Sequence, residues 1–120
     1  LCEGVDYSDP IQSMLNEEKK LKERGCDLII CLSHLGFEYK SEKVSDKILA
    51  QHSKFTHLIL GGHTHTFLEK PYQFLRKNGS KILVNQAGWA GLQLGRIDIE
   101  ITAQNQLSFT KTENLSLSLC

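Results

Sequence analysis

The sequence has no excess of either charge: lysine plus arginine and aspartate plus glutamate both total 14. A nucleic-acid module needs a basic surplus or a basic face, so the balance argues against that class. The densest basic stretch, Lys19-Lys20-Leu21-Lys22-Glu23-Arg24, is interleaved with Glu17, Glu18 and Glu23 and reads as a solvated helix face. No apolar run approaches membrane-spanning length. The four cysteines, Cys2, Cys26, Cys31 and Cys120, form no CxxC pair, which removes support for a zinc knuckle or a thioredoxin-like motif. Cys31, inside an apolar run, is expected to be a buried, inert thiol. Neither an internal repeat nor a low-complexity stretch is present. No signal segment is in view and the first residue is Leu1 rather than Met. Either an upstream segment has been removed or the chain is a piece of a longer one.

What is there suits one globular domain. With 120 residues, 40% apolar and 23% charged, the chain can bury a core without staples. Asp9-Pro10 marks a helix start, N-cap then first position. Ile11, Met14, Leu15 and Leu21 follow at helical spacing, and Gly25 closes the helix over residues 10–24. DLIICLS, residues 27–33, is short, apolar and isoleucine-rich, which favours a buried strand. Val44, Ile48 and Leu49 predict a second helix over 41–51, and HLILG, 57–61, a second strand. Strand, helix and strand make a βαβ unit with parallel strands.

The remainder changes character. Asn78-Gly79 between 72–76 and 81–86 is a hairpin signal. Residues 92–102 alternate through Leu94, Ile97, Ile99 and Ile101, and Asn105 turns the chain into 106–112. This half is expected to be an antiparallel meander, while Asn114 to Cys120 lack a closing signal. Asn78-Gly79-Ser80 and Asn114-Leu115-Ser116 match the glycosylation sequon; the turn explains the first, and the second is a common chance match.

The chemistry-bearing residues sit at strand ends. In open α/β sheets ligands gather beyond the carboxyl ends of the strands. DLIICLS runs into Ser33-His34, and HLILG runs into Gly62-His63-Thr64-His65. If the strands are parallel, His34 and His63 emerge at one edge, where imidazoles suit zinc, manganese or iron. Gly61-Gly62 allows a sharp turn close to a ligand. Against this stands the plainer reading that the histidines only cap strands. His52, ending the second helix, and His57, at the far end of a strand, are expected to be structural. Asn85 and Gln86 are weak candidates for substrate binding, against a role in turn chemistry. Trp89 is expected to pack rather than to offer a stacking surface.

The ordered set DLIICLSHLG, LILGGHTHT, ILVNQAG and LQLGRIDI resembles the calcineurin-like metallophosphoesterases, within them the 5′-nucleotidase branch. The likeness runs from about Asp9 to Phe109, most specific at Ser33-His34-Leu35-Gly36 and Gly62-His63-Thr64-His65. It implies an α/β fold, half of a four-layer αββα sandwich, with one βαβ unit followed by the meander. It further implies a site of two divalent ions (zinc, manganese or iron) clamping a phosphate ester. By position, His34 and His63 resemble ligands of the second ion, and His65 resembles a ligand of the first. The implied activity is phosphoester hydrolysis by a metal-bound hydroxide, on a phosphomonoester or nucleotide.

The departures matter equally. The family's DxH, GDxxD and GNHE motifs supply the bridging carboxylate, further ligands and the histidine assigned to protonating the leaving group. None occurs here: Asp6 has Ser8 where histidine belongs, and no GD or NH pair exists. Three histidines cannot hold two divalent ions or neutralise their charge. Residues 1–120 are therefore expected to form the C-terminal portion of a catalytic domain, completed by a missing N-terminal half or another chain. Alone, the chain is expected to be inactive, and no residue is assigned as catalytic acid or base. The alternative is a non-catalytic remnant or interaction module of the same fold. No segment assigns a compartment; the likeness to secreted nucleotidases is compatible with a periplasmic or exported parent.

Overall fold

Helix α1 (Pro10–Glu23) starts where Asp9-Pro10 places it: the Asp9 carboxylate accepts from the Gln12 backbone N–H at 2.7 Å. The helix ends in a Schellman arrangement. Gly25, at φ +82°, donates to the Lys22 carbonyl, and Cys26 donates to that of Leu21, which satisfies the last helical acceptors. In the computed structural model, which describes residues 4–117, this helix is followed by β1 (Ile30–Leu32), α2 (Asp46–His52) and β2 (Leu58–Leu60). Next come β3 (Tyr72–Leu75), β4 (Lys81–Asn85), β5 (Gln93–Ile101) and β6 (Leu107–Ser116). Residues 118–120, the end of the stretch without a closing signal, lie outside the described residues.

The βαβ unit is present: β1 and β2 pair in parallel, Cys31 opposite Ile59. Helix α2 starts later than expected, at Asp46. Ser45 is its N-cap, accepting from the Ile48 N–H, and the N–H groups of Asp46 and Lys47 donate to the carbonyls of Gly36 and Phe37. Val44 belongs to the loop, although it packs on the core.

The second half is not one continuous meander. β3 and β4 form the expected hairpin, but β4 also pairs in parallel with β2, giving the order β1-β2-β4-β3. β5 and β6 stand apart as a two-stranded sheet, with a register shift between Asp98 and Ile99. β6 runs to Ser116 because Asn114 is tied inward: its side-chain amide and that of Asn85 exchange hydrogen bonds of 2.8 and 2.9 Å. The second sequon asparagine is thus engaged inside the fold. At the first, Asn78 accepts from the Ser80 N–H within the turn.

Strand alternation sorts the two faces of the larger sheet. Cys31, Ile59, Val84, Ile82, Tyr72 and Phe74 share the face covered by Met14 of α1 and by Leu49 and Ala50 of α2. On the other face Leu58 and Leu83 are buried and Asn85 meets the β5–β6 sheet, while Leu32 is 80% exposed. The layers are therefore helices, the mixed sheet and a smaller antiparallel sheet.

One residue of the expected solvated helix face is not solvated. Lys19–Glu23 and Lys20–Glu17 are exposed ion pairs, but Glu18 is buried. Its carboxylate accepts from the backbone N–H groups of Lys54, Phe55 and Thr56 and from the hydroxyls of Ser53 and Thr56. This ties α1 to the α2–β2 connection, which Arg76 grips from the other side through the carbonyls of Ser53 and Thr56. Burial pushes the Glu18 carboxyl up, but the donors outweigh it and hold it below its ordinary 4.5.

Glu18→Ala should cost about 3 kcal/mol, since several buried donors lose their acceptor; urea denaturation measures it. Because the folded-state value lies below the unfolded 4.5, Glu18 contributes stability above that pH. That contribution is lost as pH falls through the folded value. Glu18→Gln should therefore flatten the acid branch of the stability curve, and an unchanged branch would contradict the role.

Candidate metal centre

The parallel strands deliver their carboxyl ends to one edge. Past the ladder, Ser33 N–H donates to the Leu60 carbonyl and Gly61 N–H to that of Asn85, both at 2.9 Å. His34 and His63 follow, and their rings meet edge to face with centroids 5.3 Å apart. The convergence expected from the two strand ends is present.

His65 stands differently. Its ring stacks on Trp89, centroids 5.8 Å apart and planes within 11°. Trp89 is 56% exposed, so the expectation that it packs internally is corrected: it forms a stacking surface at the rim. It stands in a loop carried by Gly88, Ala90 and Gly91, all at positive φ, and no local sequence signal marks it. Among the described residues no three His, Cys, Asp or Glu side chains converge as a metal-ligand group. Two adjacent imidazoles fit one side of a transition-metal shell; the carboxylates that would complete it do not come from these residues.

The glycine pair has a more specific cause than a sharp turn. Neither Gly61 nor Gly62 has positive φ; His63, at +75°, and His65, at +52°, do. A Cβ on Gly61 would lie 1.9 Å from an Asp46 carboxylate oxygen, and one on Gly62 would lie 3.0 Å from Nδ1 of His34. The glycines make room for two side chains, and the left-handed backbone falls on the histidines, where it is costly.

Asp46 was not legible as a site residue. The expected helix over 41–51 puts it at mid-helix with no local signal of a role, yet it has no exposed surface. Its carboxylate accepts from the Ser33 hydroxyl at 2.5 Å and from the Gln86 side-chain amide at 3.4 Å. Burial raises its carboxyl above the ordinary value, against the lowering effect of Ser33, Gln86 and the nearby His34 charge.

Asn85 and Gln86, the weak substrate-binding candidates, are both engaged within the fold. Both are buried, Asn85 against Asn114. Gln86 donates to the Gly62 carbonyl at 2.7 Å as well as to Asp46, and accepts from Thr66 N–H and the Thr64 hydroxyl. Its polar atoms are engaged by the histidine loop and by Asp46. His52 and His57 stand where expected, at the end of α2 and just before β2. His52 closes on the Ile48 carbonyl. Nδ1 of His57 accepts from Ile29 N–H, and burial, with the Arg76 and Lys22 charges, pushes its pKa down. Cys31 is partly buried, and burial raises its thiol, with Asp46 and Glu18 adding to the rise.

The chain matches no family model. It is 30% identical to an apyrase of Tabanus yao over 84% of this chain and 20% of that protein. It is 32% identical to a 5′-nucleotidase of Bos taurus over 78% of this chain and 18% of that protein. The crystal structure of a 5′-nucleotidase precursor from Thermus thermophilus superposes with a TM-score of 0.82 at 27% identity. That match covers 97% of this chain and 24% of the other. The chain thus spans about a fifth of the length of the curated relatives it matches. No helix among the described residues is long and apolar enough to cross a membrane.

Gly61→Ala should destabilise the fold by about 1–3 kcal/mol, the usual range for overpacking. The clash is with a buried carboxylate rather than with backbone geometry. Thermal or urea unfolding checks it; a neutral result would mean the strand end can draw away from Asp46.

Proposed function

Because this chain belongs to the 5′-nucleotidase branch of the calcineurin-like metallophosphoesterases, we propose that it supplies part of a dinuclear metal site. That site would hydrolyse phosphomonoesters, nucleotides among them, in the longer protein carrying this segment. Residues 1–120 would be one portion of the catalytic domain. The observation that carries the reading is the His34–His63 pair, ring centroids 5.3 Å apart at two parallel strand ends. His34 and His63 would be ligands as they stand, and His65 would join them by turning off Trp89. Zinc, manganese or iron bound there would supply Lewis-acid polarisation of a phosphoryl oxygen. This chain's own part is to hold imidazole nitrogens at a fixed edge; the carboxylate ligands and the leaving-group acid must come from elsewhere. The names of the relatives support a nucleotide as substrate.

The isolated 120-residue chain should show no turnover of AMP or p-nitrophenyl phosphate. The longer protein, loaded with Zn2+ or Mn2+, should show it. His34→Ala and His63→Ala in that protein should each lower kcat/KM by at least about a hundredfold, as expected for losing a ligand. Wild-type rates in both variants would remove the reading.

A second reading, an interaction module, has its own observation. β1 is an edge strand, and its Ile30 and Leu32, with Leu60 of β2, expose apolar surface on one face of the sheet. Beside it a groove of about 400 Å³, lined by Met14, Leu32, His34 and Leu35, runs toward the candidate site. Unpaired apolar edges associate. The isolated chain should sediment as dimers or larger species, and Leu32→Lys should shift it toward monomer. A monomeric wild-type chain at high micromolar concentration would count against this reading.

A further inference from the structure

The two histidine-bearing segments leave different strands, and the sheet does not by itself set their spacing. The last backbone bond between them is Ser33 N–H to the Leu60 carbonyl; beyond it His34 and His63 stand on separate loops. Both loops are held by side chains, through two routes that meet where the Thr64 hydroxyl donates to Gln86. One runs from the Ser33 hydroxyl to the Asp46 carboxylate, on to the Gln86 amide, and from there to the Gly62 carbonyl and Thr66 N–H. The other is direct: Phe37 N–H donates to the Thr64 hydroxyl at 3.0 Å. Ser33 immediately precedes His34, and Gly62 immediately precedes His63, so the first route grips each loop one residue from its imidazole.

We propose that Asp46 is a positioning residue, whose bridge from Ser33 to Gln86 sets the distance between the His34 and His63 rings. Three features make it a rigid brace. The side chain has no exposed surface, so water does not compete for its oxygens. Its backbone N–H is fixed to the Gly36 carbonyl at 2.8 Å, which anchors the carboxylate between the loops it joins. Gln86 uses both amide protons, on Asp46 and Gly62, and both acceptor sites of its oxygen, on Thr66 and Thr64. That set fixes which end of the amide faces which partner. Gly61 is part of the same device, since any Cβ there would displace the carboxylate. The proposal rests on the metal reading only for its consequence, that ion affinity follows the brace; groups that orient ligands typically alter affinity about 10–100-fold.

The test is the nuclear Overhauser contact between the His34 and His63 rings in the metal-free chain, followed by calorimetric titration of the longer protein with Zn2+ alone. The wild-type contact should disappear in Asp46→Ala and in Ser33→Ala while amide protection in α2 and β2 persists. It should survive in Asp46→Asn, because an asparagine can accept from Gln86 and donate to the Ser33 oxygen. A merely structural role would not produce that rescue. Zn2+ affinity should fall at least about tenfold in the two alanine variants. Should Asp46→Ala fail to fold, Ser33→Ala decides, since it deletes one hydroxyl. Persistence of the ring contact in a folded alanine variant would overturn the proposal. If the longer protein binds no Zn2+ while the contact is still lost in the alanine variants, the metal reading fails and the brace stands.

Discussion

Three strands of the larger sheet, β1, β2 and β4, run in the same direction, and everything that could do chemistry depends on that. Parallel pairing sends successive chain exits to a single edge. Here the exits are Ser33-His34, Gly61-Gly62-His63 and Asn85-Gln86. An antiparallel neighbour on either side of β2 would have sent one of those exits to the opposite end. The cost is that parallel strands need long crossovers. In the first crossover, the helix N-terminus carries Asp46 back to the same edge.

Among the described residues two carboxylates are buried, and their shifts run in opposite directions because their partners differ. Glu18 gathers five donors from residues 53–56 and stays on the ionised side. It is a fastener, holding α1 over a core whose centre is Ile59, Val84 and Leu49. Asp46 has two partners, one of them long at 3.4 Å, and burial carries its carboxyl upward. Desolvation acts on both; the number of donors decides which way the group goes. A sparsely solvated carboxylate joining two loops suits precise placement better than net stabilisation, because an unbridged buried acid is expensive.

Much of this was legible because local rules carried it. Asp9-Pro10 and Gly25 bracket α1, Asn78-Gly79 marks the β3–β4 hairpin, and the apolar run lengths give β1 and β2. The meeting of His34 with His63 followed from strand order alone. What failed was non-local. A hairpin signal says that β4 pairs with β3, but nothing local says that its other edge pairs with β2, and so the meander breaks in two. Glu18 sits among charged neighbours at helical spacing, and no pattern announces that residues 53–56 will fold back to cover it. Trp89 could not be placed at the rim because positive φ at Ala90 arises from tertiary context. Gln86 was picked out because it ends a strand at the right edge; its bonds to the histidine loop and to Asp46 are tertiary contacts that no local pattern announces.

The placement of strain at this edge follows from a competition for space. Glycine would ordinarily take the left-handed positions, as Gly25 and Gly88 do here. In Gly61-Gly62-His63-Thr64-His65 the glycines are already committed, one beneath the Asp46 carboxylate and the other against the His34 ring. The turn must still be made within the next residues, so His63 and His65 adopt positive φ, at about 1–3 kcal/mol each. Such a conformation persists only where its surroundings over-determine it. The Gly62 carbonyl, Thr64 hydroxyl and Thr66 N–H, all bonded to Gln86, are that surrounding. The strain, the glycines and the buried glutamine are therefore one arrangement. It leaves the His63 imidazole beside that of His34, where a fold governed by stability alone would have placed the glycines at the turn.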